Sequence, residues 1–386
     1  MKGNQKTVFI DARFVCDRGK IDARRIAKYF AANGYQIVTR PKDADIIVFN
    51  ACGFSTTIAE TGLLELQRYQ EYDAEILLVG GLPETDKDAV SHVFTGKSLS
   101  HKELERLDQL YPHHAVSFAE IEDQHTPWLT HDSATPWSGL RSLYHRNTLT
   151  KKAYASIADF ILRHQIGEDY LILGNPLDLP TSDVFRLRIS WGCTFNCSYC
   201  AIIKATGKLK SKPLQECVQA FSDGLRDNFR IFHVIGVDPA GYGKDNGLTY
   251  PQLLQRLCSQ AGEYRFRLEA VHPAWLVAYQ DDLAELCRHG RISAISVPFQ
   301  SGCTRILHLM NRYADLEKIL EALTRIKEAR PDVALATNVI VGFPTETEEE
   351  FLDTLRFMEK ANFDLGVIFP ISLKPGTKAA MIQPIR

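Results

Sequence analysis

At 386 residues the chain is long enough for two domains, each with a core of its own. A net charge of −2 speaks against a dedicated nucleic-acid binder, whose footprint is a basic surface, and nine thinly spread cysteines do not make a secreted disulfide framework. No run of about eighteen apolar residues and no leader-like N-terminus is present, so the chain reads as cytoplasmic, with no membrane partner.

From the start, short apolar runs alternate with helical patterns: TVFIDA, RRIAKYFAANG, YQIVTR, ADIIVFNAC, a long polar helix, then AEILLVGG. Strands separated by helices that stop at Asn33-Gly34-type signals predict right-handed βαβ units on a parallel sheet. Residues 1–112 are therefore expected to form a flavodoxin-like α/β domain.

Over 113–183 the periodicity fades. Thr-Pro-Trp occurs at 126–128 and again at 135–137, and histidine, proline and serine are frequent. The stretch reads as an irregular linker or insertion with one helix near 149–164. Its histidines lack metal-ligand spacing.

Alternation resumes over 184–386 with FRLRIS, IFHVIGVD, YRFRLEAV, ISAISVPF, VALATNVIVGF and LGVIFPI. Six strand–helix repeats suit a partial (β/α)6 barrel with its site at the C-terminal strand ends. Just after the first strand, WGCTFNCSYC places Cys193, Cys197 and Cys200 within eight positions. A structural zinc site takes four ligands, and Cys217 is far off, so three thiolates would leave one metal position open unless a distant residue closes the site. The histidine of VHP, His272, either donates a proton near this loop or ends a strand. The lysines of KATGKLKSK, Lys204, Lys208, Lys210 and Lys212, either steer an anion or form a solvated loop. Cys217, Cys258, Cys287 and Cys303 fall in helical patterns and read as small buried hydrophobes.

The Cys193-x3-Cys197-x2-Cys200 loop, with Tyr199 before its last cysteine, resembles the signature of the radical S-adenosylmethionine (SAM) superfamily. VPFQSGCTRILHLMNR, TNVIVGFPTETEEEF, IGVDPAGYG, VHP and SLKPGTKAA are similar to segments of one subfamily, the radical SAM methylthiotransferases. The resemblance implies a four-iron four-sulfur cluster on the three cysteines, SAM on its open iron, and a 5′-deoxyadenosyl radical that attacks a C–H bond. It also implies a reductant such as flavodoxin or ferredoxin. Tyr199, Gly236, Glu269, Gln300, Asn338, Ile340 and Gly342 fall where that family's cofactor-binding residues are expected. Glu346 lies in the same segment, although Thr345-x-x-Glu348 also reads as a capping box.

The same family carries three further cysteines on its N-terminal domain for an auxiliary cluster. Cys16, with Asp22 six residues on, resembles the first, and Cys52 in ADIIVFNAC the second. The third falls at Gly81 in VGGLPETDK, with Glu84 and Asp86 just downstream as substitute ligands. A possible second iron–sulfur cluster is thus short of one thiolate. The resemblance implies a small basic β-barrel after the radical SAM domain, and the sequence stops at Arg386 ahead of it. Together with the charge, that makes a peptide, protein or small-molecule substrate the expectation ahead of tRNA. Sulfur insertion or methylthiolation is the expected reaction. The alternatives are radical rearrangement, coupling or oxidation without sulfur, a tRNA methylthiotransferase, and a non-catalytic iron–sulfur protein.

Overall fold

A computed structural model of the chain describes residues 5–13, 15–123, 125 and 184–383. The helix expected near 149–164 and most of the linker lie outside the described residues.

The first sheet comprises β1 (Thr7–Asp11), β2 (Gln36–Val38), β3 (Ile46–Ala51), β4 (Glu75–Gly80) and β5 (Lys97–Ser100). Its order is β2-β1-β3-β4-β5, parallel throughout, as in flavodoxin. Every residue of β3 is buried, as expected for a central parallel strand covered on both faces. Alternation along β1 supplies the two cores. Val8 and Ile10 meet the helix Asp17–Ala32, while Phe9 joins Phe49, Leu66 and Tyr69 under the helix Thr56–Tyr69. Phe118 and Ile121 also pack in the first of these cores.

The second unit contributes β6 (Val184–Arg188), a short antiparallel pair of β7 (Ser190–Trp191) and β8 (Lys210–Ser211), then β9 (Ile231–Ile235), β10 (Arg265–Leu268), β11 (Ile292–Ser296), β12 (Ala334–Val341) and β13 (Leu365–Pro370). The six long strands form one parallel sheet in the order β13-β12-β11-β10-β9-β6, the open barrel that six repeats predict. Leu187, Phe232, Phe266, Ile295 and Leu335 lead its core.

Charged side chains join the two units. Arg188, 2 % exposed, donates to Asp22 at 2.5 Å and also pairs with Asp123, which accepts from Lys212 at 2.7 Å. His101 Nδ1 lies 2.8 Å from the other oxygen of Asp22. Arg186 donates to Asp17 at 2.6 Å, and Lys374 reaches Asp86 at 3.0 Å. These pairs bring the C-terminal ends of both sheets together.

Candidate active site

The cysteine loop is built from the β7/β8 clip outward. Gly192, at φ +65°, has no room for a side chain because a Cβ would overlap the Lys208 carbonyl. The loop then docks on the segment after the helix Thr304–Leu309. Ser198 N donates to Met310 O at 2.9 Å, Ser198 Oγ to Leu309 O at 2.7 Å, and Asn311 Nδ2 to Asn196 O at 2.8 Å. Cys193, Cys197 and Cys200 are all half-buried, and no disulfide ties them. As free thiols, burial and the neighbouring Asp238 push Cys193 up to about 12, and burial raises Cys200 as well. Only a strong cationic partner would hold them as thiolates at neutral pH, which is what iron supplies.

The residues around this loop come from successive strand ends. Gly236 follows β9, and a Cβ there would stand 2.7 Å from Ser190 Oγ. Glu269 follows β10 and is 33 % exposed at its side chain, yet its Oε2 is buried. Gln300 lies beyond β11 at φ +75°, a strained position for a non-glycine residue, held by two backbone bonds to β12: Gln300 N to Asn338 O at 3.1 Å and Ile340 N to Gln300 O at 2.9 Å. Asn338 and Ile340 share one face of β12, and Gly342 just beyond it takes φ +72°. Tyr199 packs with Ile306, Met310, Ile340 and Phe343. The seven residues expected at the cofactor pocket therefore converge on one edge of the barrel.

Further residues of the same segments also reach this edge. Arg312 is half-buried, with Nη1 3.5 Å from Cys197 Sγ and 3.4 Å from the Tyr199 hydroxyl, and with Nη2 on the Pro298 carbonyl. Asp238 accepts from Thr194 and from Trp275 Nε1 at 3.0 Å, and burial raises its carboxyl pKa against those bonds. His272 stacks on Phe195 at 3.6 Å, and its Nδ1 accepts from Ala274 N at 3.2 Å, capping the helix Pro273–Ala278. Burial and Arg312 press His272 down to about 2, so the imidazole is neutral and its proton sits on Nε2. It is therefore no imidazolium acid at neutral pH.

Two further expectations are corrected. The capping box is Thr347 with Glu350, because Thr345 sits at φ +72° and cannot take the extended N-cap conformation. Of the four loop lysines, Lys212 is buried on Asp123 and Lys204 donates to Pro375 O at 2.8 Å, which leaves Lys208 and Lys210 exposed. Among the other cysteines, Cys217 and Cys287 lie in the barrel core, Cys258 packs partly buried against it, and Cys303 donates to Glu350 at 3.3 Å.

Among the described residues, nine buried side-chain polar atoms lack a hydrogen-bond partner. Five belong to this edge: Ser190 Oγ, Glu269 Oε2, His272 Nε2, Arg312 Nε and Glu346 Oε1. Each unmet group costs roughly 1–3 kcal/mol, so their gathering beside three thiols marks the place of a polar ligand. The chain's own donors and acceptors thus fit a cluster carrying SAM.

Opposite them stands the first sheet's switch point. Cys16 follows β1, Cys52 follows β3 and Gly81 follows β4, all at C-terminal ends. Burial and the Cys16 sulfur push the Cys52 thiol up to about 12. At Gly81 a Cβ would meet Gly53 N at 3.3 Å and Ile202 Cδ1 at 3.9 Å, so the third position faces the helix Ile202–Thr206. The substitutes are engaged. Asp86 accepts from Thr85 at 2.7 Å and from Lys374, and Glu84 lies 3.7 Å from Lys102. Two thiols without a third protein ligand do not fit the three-cysteine auxiliary cluster.

Residues 187–358 match the radical SAM superfamily, and residues 8–99 match the uncharacterized protein family UPF0004. A tRNA-2-methylthio-N(6)-dimethylallyladenosine synthase of Caldicellulosiruptor saccharolyticus is 28% identical over 98% of this chain and 74% of its own length. Its counterpart from Aquifex aeolicus is 27% identical over 97% of this chain and 78% of itself. Among solved structures, the radical SAM methyltransferase TsrM from Kitasatospora setae, with cobalamin and an iron–sulfur cluster bound, superposes with TM-score 0.62 at 11% identity, over 97% of this chain and 77% of its own. The cobalamin-dependent radical SAM enzyme OxsB gives 0.55 at 13% identity, over 98% and 54%. At these identities the two structures speak to the fold alone. No described helix is long and apolar enough to cross a membrane.

Proposed function

The chain belongs to the radical SAM methylthiotransferase family and is a transferase that uses a four-iron four-sulfur cluster and SAM, and from that premise we propose that it inserts sulfur into an unactivated C–H bond of a substrate held between its two domains. Cys193, Cys197 and Cys200 would hold the cluster, which, once reduced by an external donor, would pass one electron to SAM and so supply methionine and the 5′-deoxyadenosyl radical. Arg312 places a half-buried cation beside Cys197, with its buried Nε free for the anionic end of SAM. Glu269 and Gln300 offer acceptors from the strand ends, Gly236 and Gly342 permit close backbone approach, and Tyr199, Ile340 and Phe343 form the apolar wall. The observation that carries this reading is the gathering of five orphaned polar atoms around the three-cysteine loop.

On this reading sulfur would be held near Cys16 and Cys52, which follow β1 and β3 of the N-terminal domain. A second reading keeps the radical chemistry without sulfur transfer, and it is favoured by the glycine at position 81, which offers no third thiolate. For the substrate, the net charge of −2 supports a peptide, protein side chain or metabolite, while the relatives' names point to tRNA. The test is anaerobic reconstitution with reductant and SAM. 5′-Deoxyadenosine and methionine are expected from wild type and not from Cys193→Ala/Cys197→Ala/Cys200→Ala. Mass spectrometry of peptide and unmodified tRNA substrates then separates a sulfur-bearing product from a merely oxidised or rearranged one.

A further inference from the structure

The first turn of the helix Asp17–Ala32 sends one side chain across the domain boundary into the barrel edge. Arg18 Nη1 donates to the Gly236 carbonyl at 2.8 Å and stands 3.9 Å from Glu269 Oε2, an oxygen that is buried and has no hydrogen-bond partner. Arg18 is two residues on from Cys16, which follows β1, so the N-terminal domain's cysteine loop and the barrel edge meet through this side chain. It is 28% exposed at its side chain, so it lines the crevice between the domains rather than filling a core.

We propose that Arg18 is a positioning residue for SAM, contributed by the N-terminal domain: it fixes the turn at Gly236 and holds the Glu269 carboxylate toward the bound cosubstrate. The inference rests on the reading of this edge as the SAM pocket. Physically, Glu269 has a carboxylate oxygen with no donor of its own, and the backbone after it is strained, with Ala270 at φ +49°. A guanidinium hydrogen-bonded to the neighbouring strand end and within ion-pair distance of this carboxylate biases the two toward one geometry, and a pocket organised before binding wastes less ordering free energy. The two domains are thereby coupled, because SAM affinity depends on a residue two positions from Cys16.

The experiment is SAM binding to the anaerobically reconstituted full chain, by equilibrium dialysis of labelled SAM and by the change SAM causes in the paramagnetic resonance spectrum of the reduced cluster. Arg18→Met is expected to weaken SAM about tenfold at unchanged iron content, a factor equivalent to about 1.4 kcal/mol. Arg18→Lys should fall between, since a single ammonium cannot grip both partners. In a Glu269→Gln background, Arg18→Met should add little, because the two act as one unit. Unchanged SAM affinity in Arg18→Met, or losses that multiply in the double variant, would overturn the proposal. If Arg18→Met does not fold, wild-type affinity in Arg18→Lys would overturn it as well. A wild-type protein that binds iron but no SAM would instead sink the functional reading itself.

Discussion

Arg188 and Asp123 form a buried ion pair across the domain boundary, each 2 % exposed at its side chain, and Asp123 takes Lys212 as a second cation. Breaking a buried pair by removing one partner leaves uncompensated charge and costs about 3–5 kcal/mol. Asp123→Ala strands two cations at once. We expect the thermal midpoint to drop by several degrees while the barrel's secondary structure persists, which circular dichroism melting would check.

The same network sets an acid limit. Burial alone would raise the carboxyls of Asp22 and Asp123, but Arg188 with His101 for the first, and Arg188 with Lys212 for the second, hold both below the ordinary carboxylate range. The folded state then binds fewer protons than the unfolded chain, whose aspartates titrate near about 3.9. Their contribution is complete above that value and is lost as pH falls through the lower folded values, with a limiting slope of about 1.4 kcal/mol per pH unit for each group. Urea midpoints should be flat from pH 7 to about pH 5 and fall below that. Arg188→Met should flatten the decline.

Position 81 offers a gain-of-function test. In a Cys193→Ala/Cys197→Ala/Cys200→Ala background, iron can be held in the N-terminal domain only by Cys16, Cys52 and whatever joins them. Gly81→Cys adds the third thiolate that a cluster needs. The new Cβ would stand 3.3 Å from Gly53 N, tight but short of a clash, and Ile202→Ala would give the sulfur room. Iron and sulfide retained after desalting should rise several-fold in Gly81→Cys/Ile202→Ala and vanish again with Cys52→Ala. Retention equal to that of the unmodified background would mean that the site is shaped for something other than a cluster.

The six barrel strands and the parallel order of the first sheet were legible because buried strands announce themselves as apolar runs, and the three cysteines because their spacing is local. Arg312 and Arg18 were not, since each acts through tertiary placement: Arg312 reaches Cys197 across 115 residues and Arg18 reaches Gly236 across 218. Lys212 misled for the same reason, because its partner Asp123 lies 89 residues away and turns one member of a charged run into a buried ion. The β7/β8 clip has too few residues for any periodicity to show. In TETEEE two capping registers are equally written, and only the backbone angle at Thr345 chooses between them.

That clip supports the last prediction. Gly192 is the first residue after β7, its φ of +65° is one that side chains rarely adopt, and a Cβ would overlap the Lys208 carbonyl. Gly192→Ala must therefore either pull the β7/β8 pair apart or shift the loop that begins at Cys193, at a cost of roughly 1–3 kcal/mol for the strained backbone alone. The loss stays local, since the barrel core is built from the long strands and their helices and does not include the clip. Iron per chain after reconstitution should fall by more than half, while the thermal midpoint of the cluster-free protein moves by only a few degrees. Full iron content in Gly192→Ala would show that the loop tolerates displacement, and that the docking of Ser198 and Asn196 on Leu309–Asn311 holds the three cysteines by itself.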